Sequence, residues 1–207
     1  MEGRLYGIVG GIGSGKDTVA KYLIEKRGFK RESFSQALKD IVSIIFNWDR
    51  GLLEGLTEES RAFREQVDEW WSTRLNIPNL TPRMVLQQFG TEVCRDAFHN
   101  DIWLANLETR LLNSKDDIVI SDCRFENEIK SLHKMGAKII QVTRGPEPNW
   151  KNDAILAGIG DNDAINRLTD LGIHNSEWGR YILPVDYFVE NDGSLVDLYL
   201  KLENIIC

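Results

Sequence analysis

The 207-residue chain has little of what several protein classes require. No apolar stretch approaches the roughly 20 residues needed to cross a bilayer, so no transmembrane helix and no membrane partner are expected. Cys94, Cys123 and Cys207 are odd in number, widely spaced and without any paired CxxC spacing. They speak against a disulfide framework or a zinc site and read as reduced thiols in a cytoplasm. Positive charge is also scarce, with 25 Lys and Arg against 32 Asp and Glu and a net charge of −7. Such a surface repels phosphate backbones on average, so no nucleic-acid partner is expected, although a local basic pocket for a small anion stays allowed. The first apolar run, Leu5 to Ile12, is short, interrupted by glycine and followed by polar residues, so no signal peptide is expected. With 42% hydrophobic and 28% charged residues, the composition is that of an ordinary globular protein.

Along the chain, Leu5-Tyr6-Gly7-Ile8-Val9 reads as a strand, a glycine-rich loop follows, and Thr18 to Ile24 has helical spacing that Gly28 ends. Ser35 can cap a helix on which Ala37, Leu38, Ile41, Ile44 and Ile45 recur. A long helical region starts at Thr57, is interrupted by Pro78 and restarts at Thr81-Pro82. From there Val85, Leu86, Phe89, Val93, Phe98, Trp103, Leu104 and Leu107 form an apolar stripe, most simply packed into a core. The period then changes. Asp117 to Asp122 is a β-branched run of the kind buried in a parallel sheet, Glu126 to Met135 is helical, and Ala137 to Val142 is a strand, which together make a βαβ unit. Residues 145–180 are rich in Gly, Asn, Asp and Pro, with one brief helical pattern around Ala164 to Leu171, and read as a mobile insertion. A strand at Asp186 to Glu190, a turn at 191–194 and a helix from Leu195 to Ile206 close the chain. No repeat or linker is visible, so one α/β domain over 1–207 is the economical expectation.

The strongest signal is Gly10-Gly11-Ile12-Gly13-Ser14-Gly15-Lys16-Asp17-Thr18, lying between a predicted strand and a predicted helix. It satisfies the GxxxxGK part of the phosphate-loop pattern. Gly11, Gly13, Ser14 and Gly15 would turn backbone N–H groups inward around the phosphates of ATP, the helix N-terminus would add positive potential, and Lys16 would reach the β- and γ-phosphates. The alternative is a glycine-rich turn with no ligand. Asp17 stands where a Ser or Thr usually binds Mg2+, so either its carboxylate or the Thr18 hydroxyl is the expected metal ligand. Asp122 ends a strand and is the expected second acidic element, orienting the magnesium shell or the acceptor, unless it merely caps the next helix. Arg124 would point into the same crevice, where a guanidinium suits phosphate, or else make a surface ion pair.

The phosphate loop, together with Ser35-Gln36-Ala37-Leu38-Lys39, Arg83 with Gln87 and Gly90-Thr91-Glu92, Asp101-Ile102-Trp103, Ser121 to Glu128, His174-Asn175-Ser176-Glu177 and Asn191 to Ser194, resembles the deoxynucleoside monophosphate kinases of tailed bacteriophages. The matches run in order along nearly the whole chain. The resemblance implies a three-layer P-loop kinase fold, a parallel sheet flanked by helices, and transfer of the γ-phosphoryl group of ATP to a deoxynucleoside 5′-monophosphate in the cytoplasm, the host's if phage-encoded. It implies that Arg83, Asp122, Arg124 and Glu128 belong to the acceptor pocket or its support. Gln87 is counted among the substrate contacts, and Asn191 and Gly193 lie near the adenine. The phosphate loop by itself also resembles dephospho-coenzyme A kinase.

Phosphoryl transfer needs alignment and charge neutralisation more than covalent help. Arginines must supply what Lys16 and Mg2+ do not. Arg83 and Arg124 are candidates from the core, and Arg144, Arg167 and Arg180 from around the insertion, which would act as a lid. Arg144 is the preferred lid-base candidate because it directly follows a strand; Arg167 and Arg180 read equally well as surface charges. Lys39 either touches substrate phosphate or is solvated, and His174 either contacts substrate or is an exposed loop histidine. Trp48, Trp70 and Trp71 could stack a base but fit a core or a homodimer interface better. A non-catalytic GTPase-like module would need a guanine-selecting N-K-x-D stretch, and none is present.

Overall fold

The structure is a computed structural model that describes residues 3–11, 13–173 and 175–206, apart from the side chains of residues 175 and 176. Ile12, the candidate His174 and Cys207 lie outside the described residues. Contacts divide the chain into two compact units, residues 1–33 with 111–207, and residues 34–110.

The first unit opens with β1 (Leu5–Val9), α1 (Lys16–Arg27) and β2 (Lys30–Glu32). The second holds α2 (Gln36–Phe46), α3 (Glu58–Glu65), α4 (Glu69–Leu75), α5 (Pro82–Gln88), a π-helical turn over Phe89–Asp96, and α6 (Ile102–Leu111), which ends at the boundary. The first unit resumes with β3 (Ile118–Ile120), α7 (Glu126–Lys134), β4 (Lys138–Thr143), α8 (Lys151–Gly158), α9 (Asn162–Asp170), α10 (Asn175–Trp178), a 3-10 turn at Gly179–Tyr181, β5 (Tyr187–Glu190) and α11 (Leu195–Glu203). Among the described residues no helix is long and apolar enough to cross a membrane.

Five parallel strands form one sheet in the order β2-β3-β1-β4-β5. Every residue of β1 is buried, as expected for a central strand covered on both faces. Its neighbours in the sheet are β3 and β4. The chain leaves β1 for β2 on one side, and after β3 it crosses to β4 on the other. This reversal of order opens a crevice at the carboxyl ends of β1 and β3, where α/β sheets bind ligands. Ile8, Val19, Leu23, Val119, Ile140, Val142, Leu198 and Leu202 form the core beside the sheet.

The second unit has its own core of Leu38, Val42, Phe46, Trp48, Leu53, Leu80, Val85, Leu86 and Trp103. Trp48 and Trp71 both pack on Phe46 in this unit, whereas Trp70 is exposed. The helical region expected from Thr57 is built of two helices, α3 and α4. The first ends where Gln66 takes an extended backbone, and Asp68 opens the second by accepting the Trp71 N–H at 3.0 Å while also accepting the Trp48 Nε1–H at 2.8 Å. The apolar stripe also needs correction, because Val93 and Phe98 are 49% and 76% exposed. The π-helical turn adds residues per turn and rotates them away from the face that Val85 and Leu86 occupy. On α2 the buried face is Leu38, Lys39, Val42 and Phe46, leaving Ile41, Ile44 and Ile45 outside.

The insertion is more ordered than its composition suggests. α8 and α9 form a helical pair around Ala157, Ala164 and Leu168, flanked by Trp150, Ile173 and Trp178. Asp161 caps α9 through the Ala164 N–H at 2.9 Å. Polar composition hid α8 because its inward positions are alanines, Ala154 and Ala157.

Candidate active site

β1 ends at Val9 and delivers the glycine loop directly to the N-terminus of α1. Gly13 and Gly15 take left-handed backbone at φ +76° and +96°, and the turns they permit aim successive N–H groups into one concavity. The Ser14 N–H closes the loop onto the Gly11 carbonyl at 3.2 Å. The Ser14 Oγ is buried and has no hydrogen-bond partner. Lys16 makes only a long contact, 3.4 Å from Nζ to the Gly11 carbonyl oxygen, and no ion pair among the described residues. A buried hydroxyl and an ammonium left unsatisfied beside a helix N-terminus are what an anionic ligand completes.

Asn191 supports this loop from below. It is buried, and its Nδ2 donates to the Ser14 carbonyl at 3.0 Å. A side chain at position 15 would collide with the same amide. Asn191 thus braces the phosphate loop; Gly193, two residues on, is exposed and packs against Asp197. Asn191→Asp would set a carboxylate against the Ser14 carbonyl. It is expected to cost about 1–3 kcal/mol of stability, read as a lower denaturant midpoint with an unchanged slope.

The sheet register brings the acidic element alongside. Gly7 pairs with Ile120, which sets Asp122 level with Val9 at the mouth of the loop. Ser33, following β2, donates its hydroxyl to Asp122 Oδ2 at 2.6 Å and so fixes the carboxylate. Val9, Lys16, Asp122, Arg124, Glu177 and Arg180 line one cleft. Cys123 is also in its wall, and burial, with Asp122 and Glu128 nearby, pushes its thiol well above its ordinary value.

Arg124 is exposed, and its guanidinium has no ion pair among the described residues. Its backbone is pinned: Glu128 Oε2 accepts the Arg124 N–H at 2.8 Å and the Phe125 N–H at 3.1 Å. Glu128 is buried and therefore shapes the loop that carries Arg124 rather than presenting a carboxylate to substrate. Arg180 is the residue that sequence reasoning undervalued. A side chain at position 11 would run into its guanidinium, so Arg180 lies directly over the phosphate loop. The preferred lid-base arginine, Arg144, is exposed just after β4, and Arg167 is a surface partner of Asp153 at 2.7 Å.

Other candidates belong to the second unit. Lys39 is buried and committed to Glu54 at 2.7 Å, which corrects the solvated reading. Burial would raise the Glu54 carboxyl, but hydrogen bonds from Lys39 and Arg50 outweigh it and hold the group below its ordinary value. Arg83 pairs with Glu65 at 2.7 Å on an exposed surface, and Gln87 is exposed on the same helix.

By fold and by cleft, then, the chain is a P-loop phosphotransferase. More particularly, it belongs to the deoxynucleotide monophosphate kinase family, whose profile matches residues 54–202. A protein of Acanthamoeba polyphaga mimivirus named "Putative deoxynucleotide monophosphate kinase" is 32% identical over 154 residues, covering 68% of this chain and 74% of that protein. The deoxynucleoside-5'-monophosphate kinase of Escherichia phage T5 is 27% identical, covering 63% and 72% respectively. Among solved structures, a dephospho-CoA kinase from Campylobacter jejuni aligns over 100% of this chain and 97% of its own at 17% identity and TM-score 0.43, too loose a likeness to bear on the acceptor. The chain is thus an enzyme, a kinase whose acceptor class is the deoxynucleotide monophosphate.

Proposed function

We propose that the enzyme moves the γ-phosphoryl group of ATP onto the phosphate of a deoxynucleoside 5′-monophosphate, with Lys16, Asp122, Arg124 and Arg180 as the working residues. The observation that carries this reading is that all four line one cleft at the carboxyl ends of β1 and β3. The unpartnered Ser14 hydroxyl and the unpaired Lys16 fit the phosphates of a nucleotide donor.

Lys16 and the loop N–H groups hold the donor phosphates. Arg180, over Gly11, closes the same anion from the opposite side. Arg124 takes the acceptor phosphate, where a planar fork can engage two oxygens. An acceptor phosphate is largely ionised at neutral pH, so no general base is required, and Asp122, fixed by Ser33, orients the reacting groups. Asp17, Thr18 and Asp122 offer hard oxygen donors around the loop and would hold Mg2+, which supplies charge neutralisation when bound. Among the described residues there is no cluster of three or more His, Cys, Asp or Glu side chains that could hold a metal; Mg2+ characteristically takes only one or two protein carboxylates beside substrate phosphates. The helical pair of residues 145–180 serves as a lid that keeps water from the donor.

ADP release from ATP, measured against a panel of deoxynucleoside monophosphates, ribonucleoside monophosphates and dephospho-coenzyme A, tests this reading. Release dependent on a deoxynucleoside monophosphate is expected. Activity with dephospho-coenzyme A alone would overturn the acceptor, and ATP binding without turnover would return the chain to a nucleotide-binding module.

Asp17 is exposed in the first turn of α1, free to reach a cation beside the loop. Asp17→Asn is expected to raise the Mg2+ concentration for half-maximal activity by about tenfold, since an amide carries no charge toward a hard cation. A Mg2+ titration at saturating substrates reads this. An unchanged midpoint would assign the role to Thr18 and leave Asp17 favouring the helix dipole.

A further inference from the structure

The cluster that holds Arg180 is built from both ends of the insertion. Glu147 and Trp150 lie just before α8, Lys151 begins it, and Arg180 and Tyr181 end the segment. The Arg180 guanidinium carbon sits 4.8 Å from the Tyr181 ring centroid and 5.7 Å from that of Trp150. Arg180 Nη2 donates to the Tyr181 hydroxyl at 2.9 Å, and that hydroxyl donates to Glu147 Oε2 at 2.8 Å. Lys151 Nζ donates to the other carboxylate oxygen at 3.2 Å. The direction of the chain is forced: a guanidinium only donates and a carboxylate only accepts, so the hydroxyl must accept from one and donate to the other. This arrangement occupies Nη2 and turns Nη1 toward Glu177 and Gly11.

We propose that Tyr181, held by Glu147, is a positioning residue that aims Arg180 at the donor phosphates over Gly11; this rests on the donor role given to Arg180 above. The charge of Glu147 reaches Arg180 only through the hydroxyl, while Glu177 pairs with Nη1 at 3.6 Å, so the relay orients the guanidinium from the Nη2 side. Both protonation states the relay needs are favoured. Burial would raise Glu147, but hydrogen bonds from Tyr181 and Lys151 outweigh it and hold the carboxyl below its ordinary value. Burial, together with the bond to Glu147, keeps the Tyr181 phenol above its ordinary value despite Arg180.

The test is a double-mutant cycle on ATP affinity, measured by calorimetry without acceptor, with kcat/KM for ATP alongside. Tyr181→Phe keeps the ring and its contacts and removes only the hydroxyl. It is expected to weaken ATP binding about tenfold, the scale of one hydrogen bond to a charged group. In an Arg180→Ala background the same substitution is expected to change ATP affinity by less than about twofold, because a residue that acts through another has nothing left to act on. Equal effects in the two backgrounds would make Tyr181 a structural residue and overturn the proposal, as would no effect in the parent. A parent that binds ATP but does not turn over would fail the acceptor reading while leaving the cycle readable. A parent that does not bind ATP would overturn both.

Discussion

Lys16→Ala is expected to lower phosphoryl transfer by ~100-fold or more, the scale of losing one preorganised charge at a developing oxyanion, while the unfolding midpoint stays where it was. Lys16 is the first residue of α1 and is partly exposed, and its ammonium forms no ion pair among the described residues, only the 3.4 Å contact to Gly11. Its removal therefore orphans no buried partner, and alanine is a better helix former. Steady-state ADP release and a thermal melt on the same preparation check the two halves of the expectation. Near-normal turnover by a folded variant would remove the phosphate loop from the chemistry.

Arg124→Lys is expected to cost about 10- to 100-fold in kcat/KM for the acceptor although the charge is kept, because a point ammonium cannot span two phosphate oxygens as a guanidinium does. The loop beneath it should not move, since Glu128 holds that loop by its backbone N–H groups and not by the side chain that changes. ATP affinity should stay within about twofold, which a binding titration without acceptor would show. Arg124 shares its cleft with Lys16, so the competing outcome is concrete: equal weakening of ATP and acceptor would place Arg124 on the donor.

Much of the site was legible because its signals are local. A glycine loop between an apolar strand and a helix depends on residues within about ten positions of one another, and it sits where expected, from Val9 to Lys16. The same holds for Thr81-Pro82 opening α5, for Gly28 ending α1 and for Asp122 at a strand end. β2 escaped notice because Lys30-Arg31-Glu32 is a charged, three-residue edge strand with no alternation to read. α8 escaped because alanines do not announce an apolar face.

The roles of single polar residues divide along the same line. The sequence by itself determined the phosphate chemistry, the parallel α/β pattern and the acidic and basic residues of the Asp122 to Glu128 stretch, since backbone conformation and hydrophobic period are written in neighbouring side chains. Only the tertiary structure decided which of five candidate arginines lies on the phosphate loop, that Asn191 braces Ser14 across 177 positions and that Lys39 is spent on Glu54. A long charged side chain has no intrinsic address, and its partner is whichever group the folded backbone leaves within hydrogen-bond reach.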